Sequence, residues 1–489
     1  MHNTEIIKLL QVFSEKEIKI FKKFVAQKEY NKKRFCKELL VYIYRARPDF
    51  EGEKLDKEKA QAFLKKKKDD IDDGYLRQML SILSQYAQDF LIENELQEQE
   101  IYKFLLLKKA LDRRGFEKMP RKAMQYIKGK KKVKQTSSIL DFHEEYLTIS
   151  YKHEIATQKN NQQKEVFFSD VAKAFDKYTI VQELKNACVL PNNQRLLATD
   201  NHEIDIDNLI KRAEKQEFKQ GTLFELYYLL LLILTAKEVA KNWKKLLNIL
   251  KNEAVISDLN KADRKTIILL VINFCNKKLR SGDFSYYLTQ FELYQIMAEK
   301  GDLFEQGKLP TFHYKNIVRL ACRANAFEDA QNFIDDYKNK VAQKYRENYY
   351  HLNLAALFFY KNDYDKTLKN LVLVGDLERQ DHLNVEMLFL KTYYALLVNG
   401  DENYDEPLRD RMNAFETYLR RNKKAIASHW AYYNNFLDLF ETVFQLYSER
   451  NLIGNDDFET KKAILVQQIE SCQKLVDKKW LLKQLVTLV

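Results

Sequence analysis

Residues 352–371 read LNLAALFFYKNDYDKTLKNL. Leu354, Ala355 and Phe358 recur at the three-to-four-residue spacing that puts side chains on one face of a helix. Lys361-Asn362-Asp363 then interrupts the pattern with residues that favour turns. Beyond it Tyr364, Thr367 and Leu371 resume the same spacing, so the stretch predicts two helices joined by a tight turn. From about Ser137 onward the chain reads as helix after helix, with polar breaks near Pro191-Asn192-Asn193, Gly221, 258–260, Ser281-Gly282-Asp283, 301–310, Gly375, Asn399-Gly400-Asp401 and Gly454-Asn455. Composition agrees. The 489 residues include 11 glycines and 5 prolines, too few for the many tight turns of a β-sandwich or barrel. Sixty-two aromatic residues are far too many for a disordered chain.

The 352–371 stretch resembles a tetratricopeptide (TPR) repeat, a helix–turn–helix of about 34 residues whose copies stack into a superhelix. The family places a large apolar residue, a small residue and an aromatic on its first helix, roles that fall here on Leu354, Ala355 and Phe358. The turn aromatic and the following positions fall on Tyr364, Thr367, Leu371 and Val374, with threonine where alanine is usual. The preceding unit repeats the frame with Ile317, Ala321, Phe327, Ala330 and Ile334, although Val318 is larger than the small residue expected there. One unit earlier Phe274, Cys275, Phe284 and Phe291 follow it, while Lys278 and Tyr287 depart. The turn aromatics at 284, 327 and 364 give periods of 43 and 37, the longer one holding an insertion around 302–310. The resemblance is clearest over 265–375. It implies an all-α fold in which a right-handed superhelix of TPR-like helix pairs, residues 135–489, follows an N-terminal basic helical domain, residues 1–134.

The N-terminal domain opens on FSEKEIKIFKKFVAQKEYNKKRFCKELLVYIY, residues 13–44. Ser14 and Glu17 form a capping box, and Ile18, Phe21, Phe24 and Val25 give one apolar stripe. Together with YLRQMLSILSQYAQDFL at 75–91, this region is similar to an uncharacterised bacterial helical protein group, which brings no activity with it.

Charge is concentrated here. The net charge is +12, and residues 1–160 carry +10 of it. Arg113, Arg114, Lys118, Arg121, Lys122, Lys128, Lys130, Lys131, Lys132 and Lys134 face one acid, Glu117. Such a segment is ordinarily a solvated linker. It is also the charge footprint of a polyanion site, with Phe116 and Tyr126 placed to stack on bases. Nucleic acid is therefore the second candidate partner, bound by Arg113, Arg114, Arg121, Lys122, Lys128, Lys130, Lys131, Lys132 and Lys134.

Catalytic and metal signatures fail when tested. No phosphate loop, GxGxxG, HExxH or GxSxG occurs. His143 and His153 would stand about 15 Å apart on one helix, too far to share a metal. The plain reading of His143-Glu144-Glu145 and His153-Glu154 is solvated polar residues. Asp401 to Asp405 resembles a calcium loop, but Glu406 stands where the glycine is needed and Met412 where the bidentate acid is needed. The acids Glu203, Asp205 and Asp207 read as a helix cap. Cys36, Cys188, Cys275, Cys322 and Cys472 lie far apart and suit reduced cytoplasmic thiols. Leu226 to Leu234 is too short for a membrane span of roughly 20 residues and reads as a buried helix. The last residues, with Trp480, Leu482 and Leu485, are too apolar for a solvated cap and should dock on the layer before them.

The resulting expectation is a cytoplasmic, non-enzymatic scaffold or adaptor without cofactor, metal or membrane contact. It would bind a protein or peptide on the solenoid's concave face. Tyr349, Tyr350, Phe358, Phe359, Tyr432, Tyr433, Phe436 and Phe440 read as core residues first and as partner anchors only where exposed.

Overall fold

The computed structural model describes all residues except 2–3, 30–34, 48–49, 51–54, 67–70, 117–137, 160–163, 198–203, 217–220, 306, 376, 378 and 489. Among the described residues the chain is helical, with no β-strand. Residues 1–281 and 296–307 form one compact unit, and residues 282–295 and 308–489 form the other. Helix α14, Tyr286–Glu299, is divided between them.

In the first unit α1 (Glu5–Val12), α2 (Glu15–Glu29), α3 (Cys36–Ile43) and α4 (Lys57–Lys65) all pack on the long α5 (Asp73–Glu98). The capping box forms as the sequence predicts. Ser14 N–H donates to Glu17 Oε2 at 2.7 Å and Glu17 N–H to Ser14 Oγ at 3.2 Å, which satisfies two backbone donors at the helix start. The apolar stripe it launches closes over α5, with the Phe13, Phe21 and Phe24 rings each 5.5–5.7 Å from Phe90. Then α6 (Glu100–Asp112) leads to α7 (Ile139–Lys159) and α8 (Lys164–Leu197), which pack along one another. The break anticipated at Pro191-Asn192-Asn193 does not occur, because α8 runs through it. A proline removes one backbone donor, and the residues of the preceding turn, Ala187 and Cys188, are buried.

Helix α8 also meets α9 (Ile206–Glu214) and α10 (Leu223–Leu234). Asp205 caps α9 by accepting from Asn208 N–H at 3.0 Å, as its acids suggest. The apolar run is α10, with nine buried side chains. Among the described residues no helix is long and apolar enough to cross a membrane. The unit continues through α11 (Val239–Leu250), α12 (Glu253–Asp258) and α13 (Lys261–Arg280).

The second unit contains α15 (Thr311–Arg323), α16 (Phe327–Tyr337), α17 (Gln343–Tyr360), α18 (Tyr364–Leu371), α19 (Arg379–Val398), α20 (Asp405–Asn422), α21 (Ala427–Glu449), α22 (Asn455–Ser471) and α23 (Lys478–Thr487). Each packs on its sequence neighbour, and α15 on α17, α17 on α19 and α21 on α23 pack as well. The turns are built alike. Asn325, Asn362 and Gly400 all take left-handed backbone, with φ of 58°, 58° and 100°. At each, that residue's N–H bonds the carbonyl three back and the next N–H bonds the carbonyl five back, at 2.9–3.2 Å. This is the Schellman stop, which satisfies carbonyls that a helix end leaves free. The quoted stretch is therefore α17, a turn, and α18, with Asp363 capping Lys366 N–H at 3.2 Å.

Small residues sit where helices approach: Ala321, Ala330, Ala355 and Thr367 have no exposed surface. Phe284 behaves differently from Phe327 and Tyr364. It is 47% exposed, with Lys479 Nζ 3.7 Å from its ring centre, rather than filling a gap between helix pairs. The 401–406 loop follows Gly400, and Pro407 stands in the first turn of α20, as a helix–helix connection requires. The C-terminal helix is docked: Leu481, Leu485 and Leu488 join the core made by α19 to α22.

Candidate functional site

On α15 the buried residues Tyr314, Ile317, Val318, Ala321 and Cys322 take one side of the helix. Lys315, Arg319 and Arg323, four residues apart, are left as a stripe on the other. Two neighbouring helices bring acids and aromatics to that stripe. Asp381, at the start of α19, is buried and accepts from the Lys315 ammonium and the Tyr349 hydroxyl of α17. Asn384 Nδ2 lies 3.3 Å from Asp381 Oδ1, and Tyr433 of α21 donates to Asn384 Oδ1 at 3.3 Å.

Two turns further along α19, Lys391 is 7% exposed and pairs with Asp477. Its Nζ lies 5.2 Å from the Trp480 ring centre and 5.8 Å from that of Phe436, so aromatic faces cover the rest of the cation. Asp477 arrives from the C-terminal segment, which is held by Asn435 Nδ2 donating to Lys474 O at 2.9 Å and by Val476 N–H donating to Tyr432 O at 3.4 Å. Asp477 is the N-cap residue of α23 but does not cap it. At φ 48° its carboxylate is turned to Lys391 instead. Such a left-handed aspartate is costly and is kept by its surroundings.

The electrostatics of this face follow from the same placement. Burial lowers the Lys391 pKa, with Arg319 and Arg323 pushing the same way and Asp477 opposing them. For Asp477 burial acts upward, but Lys391, Arg323 and Arg319 together hold the carboxyl below its ordinary value. Arg323 Nε reaches the Tyr360 hydroxyl at 3.5 Å, and its guanidinium carbon lies 5.7 Å from the Tyr287 ring centre. The face thus joins cations, carboxylates and aromatic rings from α14, α15, α17, α19, α21 and the start of α23, all within the second unit. Of the aromatics weighed from sequence, Tyr349, Tyr433, Phe436 and Phe440 are buried, while Tyr432 is 37% exposed.

The basic segment is not gathered in this way. Arg113 and Arg114 lie exposed at the end of α6, with Arg114 Nη1 bonded to Ala110 O at 2.7 Å. Arg121, Lys122, Lys128, Lys130, Lys131, Lys132 and Lys134 lie outside the described residues. The histidine positions need correction. Glu144 is buried and His143 half-buried, its Nδ1 3.2 Å from the Tyr102 hydroxyl and its ring 5.0 Å from that of Tyr178. The packing of α6, α7 and α8 turns polar positions inward that looked solvated. A separate open cavity of about 470 Å³ lies beside α19, where Glu386 bridges His382 at 3.4 Å and Arg411 at 2.6 Å.

Sequence reasoning passed over Arg319, Arg323, Lys391 and Asp477. A local signal existed in the K-x₃-R-x₃-R spacing of 315–323 and in a lone lysine within FLKTYYALL. Compared with known proteins, the chain matches no family model, no curated protein and no solved structure significantly.

Proposed function

We propose that the chain is a non-enzymatic, cytoplasmic scaffold or adaptor whose second unit is a right-handed superhelix of TPR-like pairs. Its concave face holds a protein or peptide partner. The observation that carries this reading is the packing of alternate helices, α15 on α17 and α17 on α19, across Schellman turns spaced 37 and 38 residues apart. Stacking of this kind lines up the first helix of each pair on one side. The solvent-reaching residues of those first helices include Arg319, Arg323, Tyr360 and Tyr432. Burial pushes the Cys275 and Cys322 thiols up to about 12, so neither is a reactive thiolate at neutral pH.

Site-specific photo-crosslinking tests the proposal. A photoreactive residue is placed at Tyr360 or Tyr432 on the proposed inner helices, and at Lys369 or Glu416 on their partners. A discrete protein adduct confined to the first two positions is expected. Equal labelling from all four, or none from Tyr360 and Tyr432, would overturn the reading.

A further inference from the structure

On the shared face of the second unit two guanidiniums have no carboxylate of their own among the described residues. Lys315 is matched by Asp381 and Lys391 by Asp477. Among the described residues Arg323 meets the Tyr360 hydroxyl and the Tyr287 ring. Arg319 makes no hydrogen bond or ion pair among the described residues. Yet the two arginines stand one turn apart on α15, where like charges repel. Both also act on Lys391 and Asp477. Among the described residues three cations are thus set against one carboxylate, an excess of two positive charges on a surface that solvent reaches, since Arg323 is exposed and Arg319 half-exposed.

We propose that Arg319 and Arg323, with the Lys391 charge behind them, bind the phosphate monoester group of a phosphorylated ligand. A monoester dianion cancels the excess, whereas a carboxylate cancels half of it. Two planar guanidinium forks also match the oxygens of a tetrahedral phosphate. The exposed Tyr360 ring flanks the site and offers an apolar surface to whatever carries the phosphate. The inference rests on the reading of this face as the partner-binding one and names the chemistry it selects.

The test is calorimetric titration of the full chain with three probes: inorganic phosphate, adenosine 5′-monophosphate and a phosphoserine hexapeptide. The same hexapeptide with glutamate in place of phosphoserine is the comparator. At least one phosphate probe should bind with a Kd below about 1 mM, and the tightest of the three identifies the source of the group. Arg319→Gln and Arg323→Gln should each weaken that probe roughly tenfold or more, the effect of losing a charge-assisted bond. The melting temperature should hold, because both side chains reach solvent. Should it drop, Arg319→Lys with Arg323→Lys keeps the charge, loses the forks, and should give intermediate affinity.

The proposal falls if no phosphate probe binds more tightly than the glutamate peptide, or if affinity ignores both substitutions. Crosslinking from Tyr360 separates the two readings. A protein adduct that persists without phosphate binding removes this inference alone, and loss of both removes the scaffold as well.

Discussion

Asp302→Ala should unlock the first unit far more than its size suggests. Arg264 and Asp302 are 7% and 1% exposed and form a two-pronged pair, Nε to Oδ2 at 2.6 Å and Nη2 to Oδ1 at 2.7 Å. The remaining Nη1 donates to Ile256 O at 3.2 Å and Leu259 O at 2.9 Å, so the same guanidinium satisfies carbonyls at the end of α12. Asp302→Ala leaves a buried cation with only neutral acceptors, and removing one partner of such a pair costs about 3–5 kcal/mol. Arg264→Met with Asp302→Leu removes both charges and leaves the two carbonyls without that donor, a loss of about 1–3 kcal/mol. The double variant should therefore be more stable than Asp302→Ala alone. Hydrogen exchange along α13 reads this locally, without assuming that two units unfold as one. A loss of about 3 kcal/mol appears as a protection factor lower by roughly 150-fold. A double variant that loses as much protection as the two single variants combined would refute the reasoning.

Three further outcomes follow from the second unit. Asn362→Ala should cost about 1–2 kcal/mol in urea denaturation, because alanine lacks the short polar side chain that lets asparagine adopt left-handed backbone and accept from the Tyr364 hydroxyl, while Asn362→Gly, with no Cβ to strain, should cost much less. Leu485, with no exposed surface, should cost about 2–5 kcal/mol when replaced by alanine, and the amides of α23 should lose exchange protection first. Asp477 is held below its ordinary 3.8, so its contribution is fully present above that value and is lost as pH falls through its folded-state pKa. Acid titration of the second unit, followed by Trp480 fluorescence, should show a loss beginning below about pH 4 that is shallower in Asp477→Asn.

What was legible in the sequence was local. The Ser14–Glu17 box, the Asp205 cap, the turn at Lys361–Asp363 and the docked C-terminal leucines each depend on residues within a few positions of one another or on plain apolar patterning. Readings that assumed an average environment failed. Pro191 sits inside α8, where the sequence predicts a break. Glu144 is buried because α7 lies along α8. Phe284 keeps its place in the repeat frame but ends on the surface under Lys479. The frame describes spacing, and spacing does not say which helix will cover a given turn.

The charged face was hidden for a different reason. Its pairs join residues 66 and 86 positions apart, Lys315 with Asp381 and Lys391 with Asp477, beyond any periodicity. Lys391 nevertheless carried a warning. The helix positions three and four residues away on either side of it are Met387, Leu388, Tyr394 and Ala395, so no acid on α19 is placed to pair with it. A lysine in so apolar a helix must reach solvent or meet an anion from elsewhere, since an unpaired buried ammonium is not sustained. At 7% exposure the first route is closed. The second requires a carboxylate from another element, and α23 supplies it by turning Asp477 into left-handed backbone and leaving its own N-terminus uncapped. A helix gives up a cap worth about 1 kcal/mol only where a stronger interaction compensates. Here the compensation is the pairing of a buried cation whose neighbours, Arg319 and Arg323, still carry charge that no carboxylate among the described residues neutralises.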